Sequence, residues 1–215
     1  MSEYFRKVGV RRIVIMMLGN VILSLGVSIF KLSGLGNDPF SGMVMALSER
    51  SGMGYATFLI LVNLVLFVIE LLWGRKLIGI GTVVNAFLTG YMVTFFYGLC
   101  LKLAGVPEHL WQSVIWACVG VVICSLGVSL YQTPDVGVAP YDSLSLIMAE
   151  RWTRISYFWH RMFIDAVCAV VCWLTGGIVG LGTLLCAFGL GPFIHFFNVH
   201  ISEKLLENSR KSGRT

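Results

Sequence analysis

The sequence predicts an all-α, polytopic membrane protein built from two homologous units, and three observations carry that prediction. The first is composition: of 215 residues, 57% are hydrophobic and only 13% charged, with a mean hydropathy of +0.83. Soluble domains carry about a quarter charged residues, so this chain lacks the polar surface to cover a globule in water. The second is run length. Six apolar runs approach the roughly 20 residues a helix needs to cross a bilayer, at 12–31, 55–73, 77–101, 111–131, 157–175 and 178–200. The third is self-similarity. Ser24-Leu25-Gly26-Val27-Ser28 leads to Gly36-Asn37-Asp38-Pro39-Phe40, and 101 residues later Ser125-Leu126-Gly127-Val128-Ser129 leads to Gly137-Val138-Ala139-Pro140-Tyr141-Asp142. Fixed-period similarity marks a duplicated unit, with repeat one at 12–101 and repeat two at 111–200.

Taken in order, the first span follows Arg6-Lys7 and Arg11-Arg12, as the apolar core of a secretory signal would. The same run recurs from Trp116 to Tyr131 in mid-chain, where no cleavage signal sits, so 12–31 is read as a structural span. Next come two shorter elements, 39–50 and 140–151. Each opens with proline, which suits a first helical position, and each ends in Glu-Arg (Glu49-Arg50 and Glu150-Arg151). About 12 residues at 1.5 Å rise give about 18 Å, too short for a full crossing, so both are expected as half-helices. The third spans repeat as clearly as the first: Gly79-Ile80-Gly81-Thr82 through Gly90 matches Gly180-Leu181-Gly182-Thr183 through Gly191. Small residues of this kind let lipid-embedded helices approach closely. The middle spans match less well, Asn63 meeting Asp165 only after a one-residue slip. Residues 202–215 are expected as a fraying helix end and a cytoplasmic tail.

Positive charge tests the topology. With re-entrant half-helices, six spans place Arg6, Lys7, Arg11, Arg12, Arg75, Lys76, Arg151, Arg154, Arg161, Lys204, Arg210, Lys211 and Arg214 inside, and only Lys31, Arg50 and Lys102 outside. Both termini are then cytoplasmic, and three spans per unit make the repeat an inverted one. If the half-helices crossed fully, eight spans would exchange Arg50 and Lys102 for Arg75 and Lys76 with no change in the bias. Charge alone leaves both counts open; length and the Gly/Pro break favour six.

Several function classes recede. The basic excess sits in tails and short loops, so nucleic acid is not an expected partner; membrane lipids and an unidentified small solute are. The six cysteines fall inside apolar runs without a Cys-x-x-Cys pair, which suits small buried hydrophobes rather than metal ligands. No nucleophile elbow, His-Glu-x-x-His or phosphate loop is present. An enzyme is not expected, nor a cofactor or metal.

The Gly-x-Gly-x-x-Pro-aromatic turn, the Gly-Ile-Gly-Thr-Val-Val-Asn-Ala run ending in Gly90, and their second copies resemble the YczE/YyaS/YitT-type bacterial membrane proteins, closest to the YczE branch. The resemblance covers roughly residues 12 to 200. It implies a small multi-span protein of the bacterial inner membrane, treated in that family as a candidate transporter without a settled substrate. The family turn often reads Gly-Pro-Trp-Asp; here the second copy keeps Pro140-Tyr141-Asp142, while the first has Pro39-Phe40-Ser41 with its acid displaced to Asp38.

The candidate site residues gather at the breaks. A half-helix start buried in the membrane offers free N–H groups and about half a positive charge, which can hold an anion. Asp38 and Asp142 are equally suited to capping their own helices, and both readings stay open. A site between the copies would collect Asn37, Asp38, Ser41, Tyr141, Asp142 and Ser143, with Asn63 and Asn85 as helix-face polar groups able to bond across helices. Asp165 sits mid-span, where a charge costs at least about 2.5–3.5 kcal/mol; Arg161 lies four residues earlier. The pair is either structural or a proton- or cation-binding centre. His195 is either a proton relay or a packing histidine. Glu70 is expected to snorkel towards Arg75 and Lys76. Two function readings result: a small inner-membrane secondary transporter or exporter, its pathway between the repeats and possibly proton-coupled, or a non-transporting membrane partner protein. A pocket between the repeats favours the first, a dry core the second.

Overall fold

The computed structural model describes residues 9–155 and 157–206. Within them the helices run α1 Val10–Leu32, α2 Pro39–Ser51, α3 Tyr55–Trp73, α4 Ile80–Ala104, α5 Leu110–Gln132, α6 Pro140–Arg151, α7 Tyr157–Leu174 and α8 Leu181–Phe197. All but α2 and α6 are long and apolar enough to cross a membrane, with α8 continuing through a π-helical turn at Asn198–Ser202 as far as Leu206. The chain is therefore an all-helical membrane protein with six candidate spans. Leu64, Val65, Val68, Phe95, Trp173 and Phe188 are among the apolar side chains left on the outside, where lipid replaces water as the solvent.

Most boundaries fall within two residues of expectation. The larger shifts have a local cause. Both α4 and α8 start three residues late because Gly79 and Gly180 are extended, and a 3-10 turn at Arg75–Leu77 precedes the first. Ser202 is not part of a solvated tail: it is fully buried, with its hydroxyl 2.6 Å from that of Ser129. The termini carrying Arg6, Lys7, Arg210, Lys211 and Arg214 lie outside the described residues.

The centre of the fold is the α1–α5 pair. The Ser-Leu-Gly-Val-Ser motif supplies its seam. A Cβ added to Gly19 would lie 2.4 Å from Tyr131 N, one at Gly26 2.6 Å from Cys124 N, and one at Gly127 2.4 Å from Leu23 N. Only glycine permits backbones this close. The intervening serines turn inward and satisfy themselves locally: Ser24 donates to Asn20 O and Ser125 to Val121 O, each at 2.7 Å.

Residue numbers rise along α1 as they fall along α5, so the two helices are antiparallel. An odd number of crossings must then separate them. The chain between their starts contains α1, α3 and α4 if α2 turns back, and four crossings if it does not. The exposed Lys76–Glu150 ion pair, 2.6 Å apart, agrees, since eight crossings would put these residues on opposite faces. In a cysteine-free background we expect Arg75→Cys and Arg154→Cys to react with an impermeant thiol reagent from one side and Lys102→Cys from the other. Opposite sidedness for the first two would restore the eight-crossing chain.

Contacts between the halves come in pairs 101 residues apart. Gly81 N–H donates to Val136 O at 2.9 Å, and Gly182 N–H donates to Leu35 O at 3.0 Å. Each bond clamps the loop before one half-helix to the start of the other half's third span. The loops can make this approach because Gly36 and Gly137 take positive φ of 107° and 115°, a region closed to most side chains. In the same reciprocal way α2 packs on α7 and α6 on α3.

Candidate functional site

The half-helices begin inside the protein, and their first turns meet. Asp38 caps α2, its Oδ1 accepting the Ser41 N–H at 3.0 Å, while Asn37 Oδ1 accepts the Asp38 N–H at 2.9 Å. Capping by aspartate with proline next is a strong helix start. At α6, Ala139 occupies the equivalent position without a side-chain cap. The rings of Phe40 and Tyr141 stack at 4.1 Å and 13°, joining the two starts face to face.

A cavity of about 90 Å³ opens beside this stack. Phe40, Tyr55, Tyr131 and Tyr141 form aromatic walls, with Leu23, Val27 and Leu190 completing the apolar part. The polar lining comes from Asp38, Ser41, Asn63, Asn85, Thr89 and the Asp142–Arg161 pair.

Charge is concentrated on one side. The Asp142 carboxylate receives Arg161 Nη1, the Tyr131 hydroxyl, and Gln132 Nε2 at 2.9 Å. Arg161 also donates from Nε to Asp165 at 3.4 Å, and the Tyr141 hydroxyl donates to the other Asp165 oxygen. The guanidinium lies 4.7 Å from the Tyr141 ring centre, a favourable cation–π placement. One cation therefore serves two buried carboxylates, and the tyrosines supply the remaining hydrogen bonds that buried charges need.

The other side is less satisfied. Asn85 Nδ2 donates to Asn20 Oδ1 at 2.9 Å, and Asn63 Nδ2 donates to Ala86 O at 3.3 Å, so both asparagines tie helices together while facing the cavity. Asp38 Oδ2 and Thr89 Oγ1 are buried with no hydrogen-bond partner among the described residues.

The structure thus brings Asp38, Ser41, Tyr141, Asp142, Asn63, Asn85 and Arg161 to one cavity, with Asp165 directly behind it. It leaves three sequence candidates elsewhere. Ser143 is buried and donates to Pro140 O at 2.7 Å. Asn37 instead lines a second opening, with Lys31, Glu49 and Tyr97. His195 is exposed and reaches neither. Glu70 corrects an expectation: it does not snorkel, because it is fully buried and neither carboxylate oxygen has a partner among the described residues. Arg75 instead bonds Leu71 O at 2.9 Å, and Lys76 is taken by Glu150.

Sequence reasoning missed Tyr131, Gln132, Tyr55, Thr89 and Asn20. A signal for the first was present. At the 101-residue offset, Phe30, Phe40 and Ser41 become Tyr131, Tyr141 and Asp142, so the second copy gains hydroxyl and carboxylate groups at three matched positions.

Residues 10–199 match a family described as a family of unknown function, DUF6198. The chain belongs to this family. Among this chain's relatives, an uncharacterized protein of Haemophilus influenzae is 28% identical over 87% of this chain and 83% of its own length. The uncharacterized protein YyaS of Bacillus subtilis is 27% identical over 90% and 96%. The uncharacterized membrane protein YczE of the same organism is 27% identical over 83% and 81%. No solved structure matches this DUF6198 chain.

Proposed function

We propose that this protein is a small secondary transporter or exporter of the bacterial inner membrane, both termini cytoplasmic, with its pathway at the cavity between two inverted repeats. The observation that carries the reading is that cavity. It lies where two interrupted helices begin, and it is bordered by a buried Asp142–Arg161–Asp165 cluster. Broken helices meeting between repeats are the usual architecture of a transporter binding site. The antiparallel α1–α5 pair and the reciprocal loop bonds support the inverted relation. A dry core would have favoured a non-transporting partner protein.

Asp165 is the coupling residue in this reading, because it shares the Arg161 guanidinium with Asp142 behind the cavity. His195 has no part in the path. The test is flux in liposomes under an imposed pH gradient, screened over labelled amines, amino acids and organic anions. At least one solute is expected to move with the gradient and to stop when it is collapsed. Asp165→Asn is expected to slow that flux at least about tenfold, equivalent to about 1.4 kcal/mol. Equal flux in the variant would remove Asp165 from coupling, and liposomes indistinguishable from empty ones across the panel would favour the partner reading.

A further inference from the structure

We infer that the cavity takes a small organic cation, an amine or quaternary ammonium, with Asp38 as its counter-charge. This inference deepens the transport reading and rests on it for its physiological use, but the site is testable by binding alone.

The half-helix starts would by themselves suggest an anion. Each is already answered by the chain's own acid. Asp38 caps α2, and Asp142 lies in the first turn of α6, where a carboxylate offsets the roughly half positive charge of a helix end. Arg161 is the cation of the cavity lining, and both Asp142 and Asp165 pair with it. No positive charge is left over among the described lining residues. The carboxylates exceed it: Asp38, Asp142 and Asp165 stand against one guanidinium.

The uncommitted groups point the same way. Capping uses only Oδ1 of Asp38. Its Oδ2 has no partner, and Thr89, which is more than nine-tenths buried and lines the same cavity, offers a second unpartnered oxygen. A buried carboxylate oxygen left alone is costly unless a proton or a cation neutralises it. The rings of Phe40, Tyr55, Tyr131 and Tyr141 line the same cavity; Phe40 and Tyr141 stack on each other and Arg161 already lies over Tyr141, so Tyr55 and Tyr131 are the rings left to meet a cation. Oxygen acceptors beside aromatic rings suit a cation with apolar substituents.

A proton and the organic cation compete for one oxygen. Binding of a quaternary ammonium to protonated Asp38 releases that proton to water, leaving the carboxylate paired with the ligand. The exchange is one charge for one charge, which lets proton entry drive export of the cation.

The test uses the full chain in nanodiscs and three probes of similar size: benzyltrimethylammonium, benzyl alcohol and benzoate. The ammonium should bind saturably, at least about tenfold tighter than the alcohol, with proton release in weak buffer; benzoate should not saturate. Asp38→Asn keeps the cap, since asparagine caps as well as aspartate, and should weaken the ammonium at least tenfold, abolish proton release and leave the alcohol unchanged. Tyr55→Leu should weaken the ammonium several-fold. Saturable benzoate, ammonium binding unchanged in Asp38→Asn, or displacement of Asp38's proton by sodium alone would overturn the assignment. Ammonium binding with no flux of any solute in the panel would overturn the transport reading and leave the site standing. Flux of another solute without ammonium binding would do the reverse.

Discussion

Arg161→Met is expected to destabilise the protein by about 3 kcal/mol, the low end of the range for removing one partner of a buried ion pair. The low end applies because the arginine side chain is 28% exposed and water reaches part of it, whereas the Asp142 and Asp165 side chains are 9% and 12% exposed. Without the guanidinium Asp142 keeps only the neutral donors Tyr131 and Gln132, and Asp165 keeps only Tyr141. By the scaling for soluble chains of this size, the loss corresponds to a thermal midpoint lower by about 6–12 °C. Adding Asp142→Asn to Arg161→Met removes one stranded charge and is expected to recover at least half of the loss. Midpoints for the single variant within a degree of the parent would show that the cluster carries no net stability.

The second large effect is steric. In Gly127→Val the new Cβ would sit 2.4 Å from Leu23 N and 2.6 Å from Leu23 Cα. Overpacking costs about 1–3 kcal/mol when side chains can move aside; here the obstacle is backbone, so α1 and α5 must separate. The variant is expected to lose its monodisperse peak in size-exclusion chromatography. Gly98→Ala, at a helical glycine with nothing within 4 Å of the added Cβ, should match the parent or gain up to about 1 kcal/mol from helix propensity. A monodisperse Gly127→Val protein with an unchanged midpoint would contradict the packing.

The legibility of the site in the sequence followed the polarity of its residues. Asp38, Asp142, Asp165 and Arg161 stood out because charge in an apolar chain is expensive and needs a reason. Asn63 and Asn85 were visible for a weaker version of the same reason. Tyr131 and Tyr55 were not, since an aromatic residue in a membrane helix serves equally well against lipid, at an interface or in a core. Glu70 and His195 show the converse failure. Position along a span says how deep a residue sits, and it says nothing about which side of the helix faces protein. That is why Glu70 was expected at the surface and lies buried, while His195 was weighed as a relay and lies outside.

By itself the sequence determined the membrane class, the six long helices, the two proline-started short ones and the seam of small residues, because composition, run length and backbone freedom are local properties. Its 101-residue repetition also marked where the two halves break. Tertiary structure decided the rest. Charge bias was equal for six and eight crossings, and only the antiparallel approach of α1 to α5 and the Lys76–Glu150 pair separated them. Likewise the two Gly/Pro breaks were visible as a doublet, but their meeting through Phe40 and Tyr141 was not. Nor was the division of labour that follows, with Asp142 held by Arg161 while Asp38 keeps one oxygen free. Which residues share a cavity depends on how helices rotate and cross, and a helix that is apolar all round carries too little periodicity to specify that rotation.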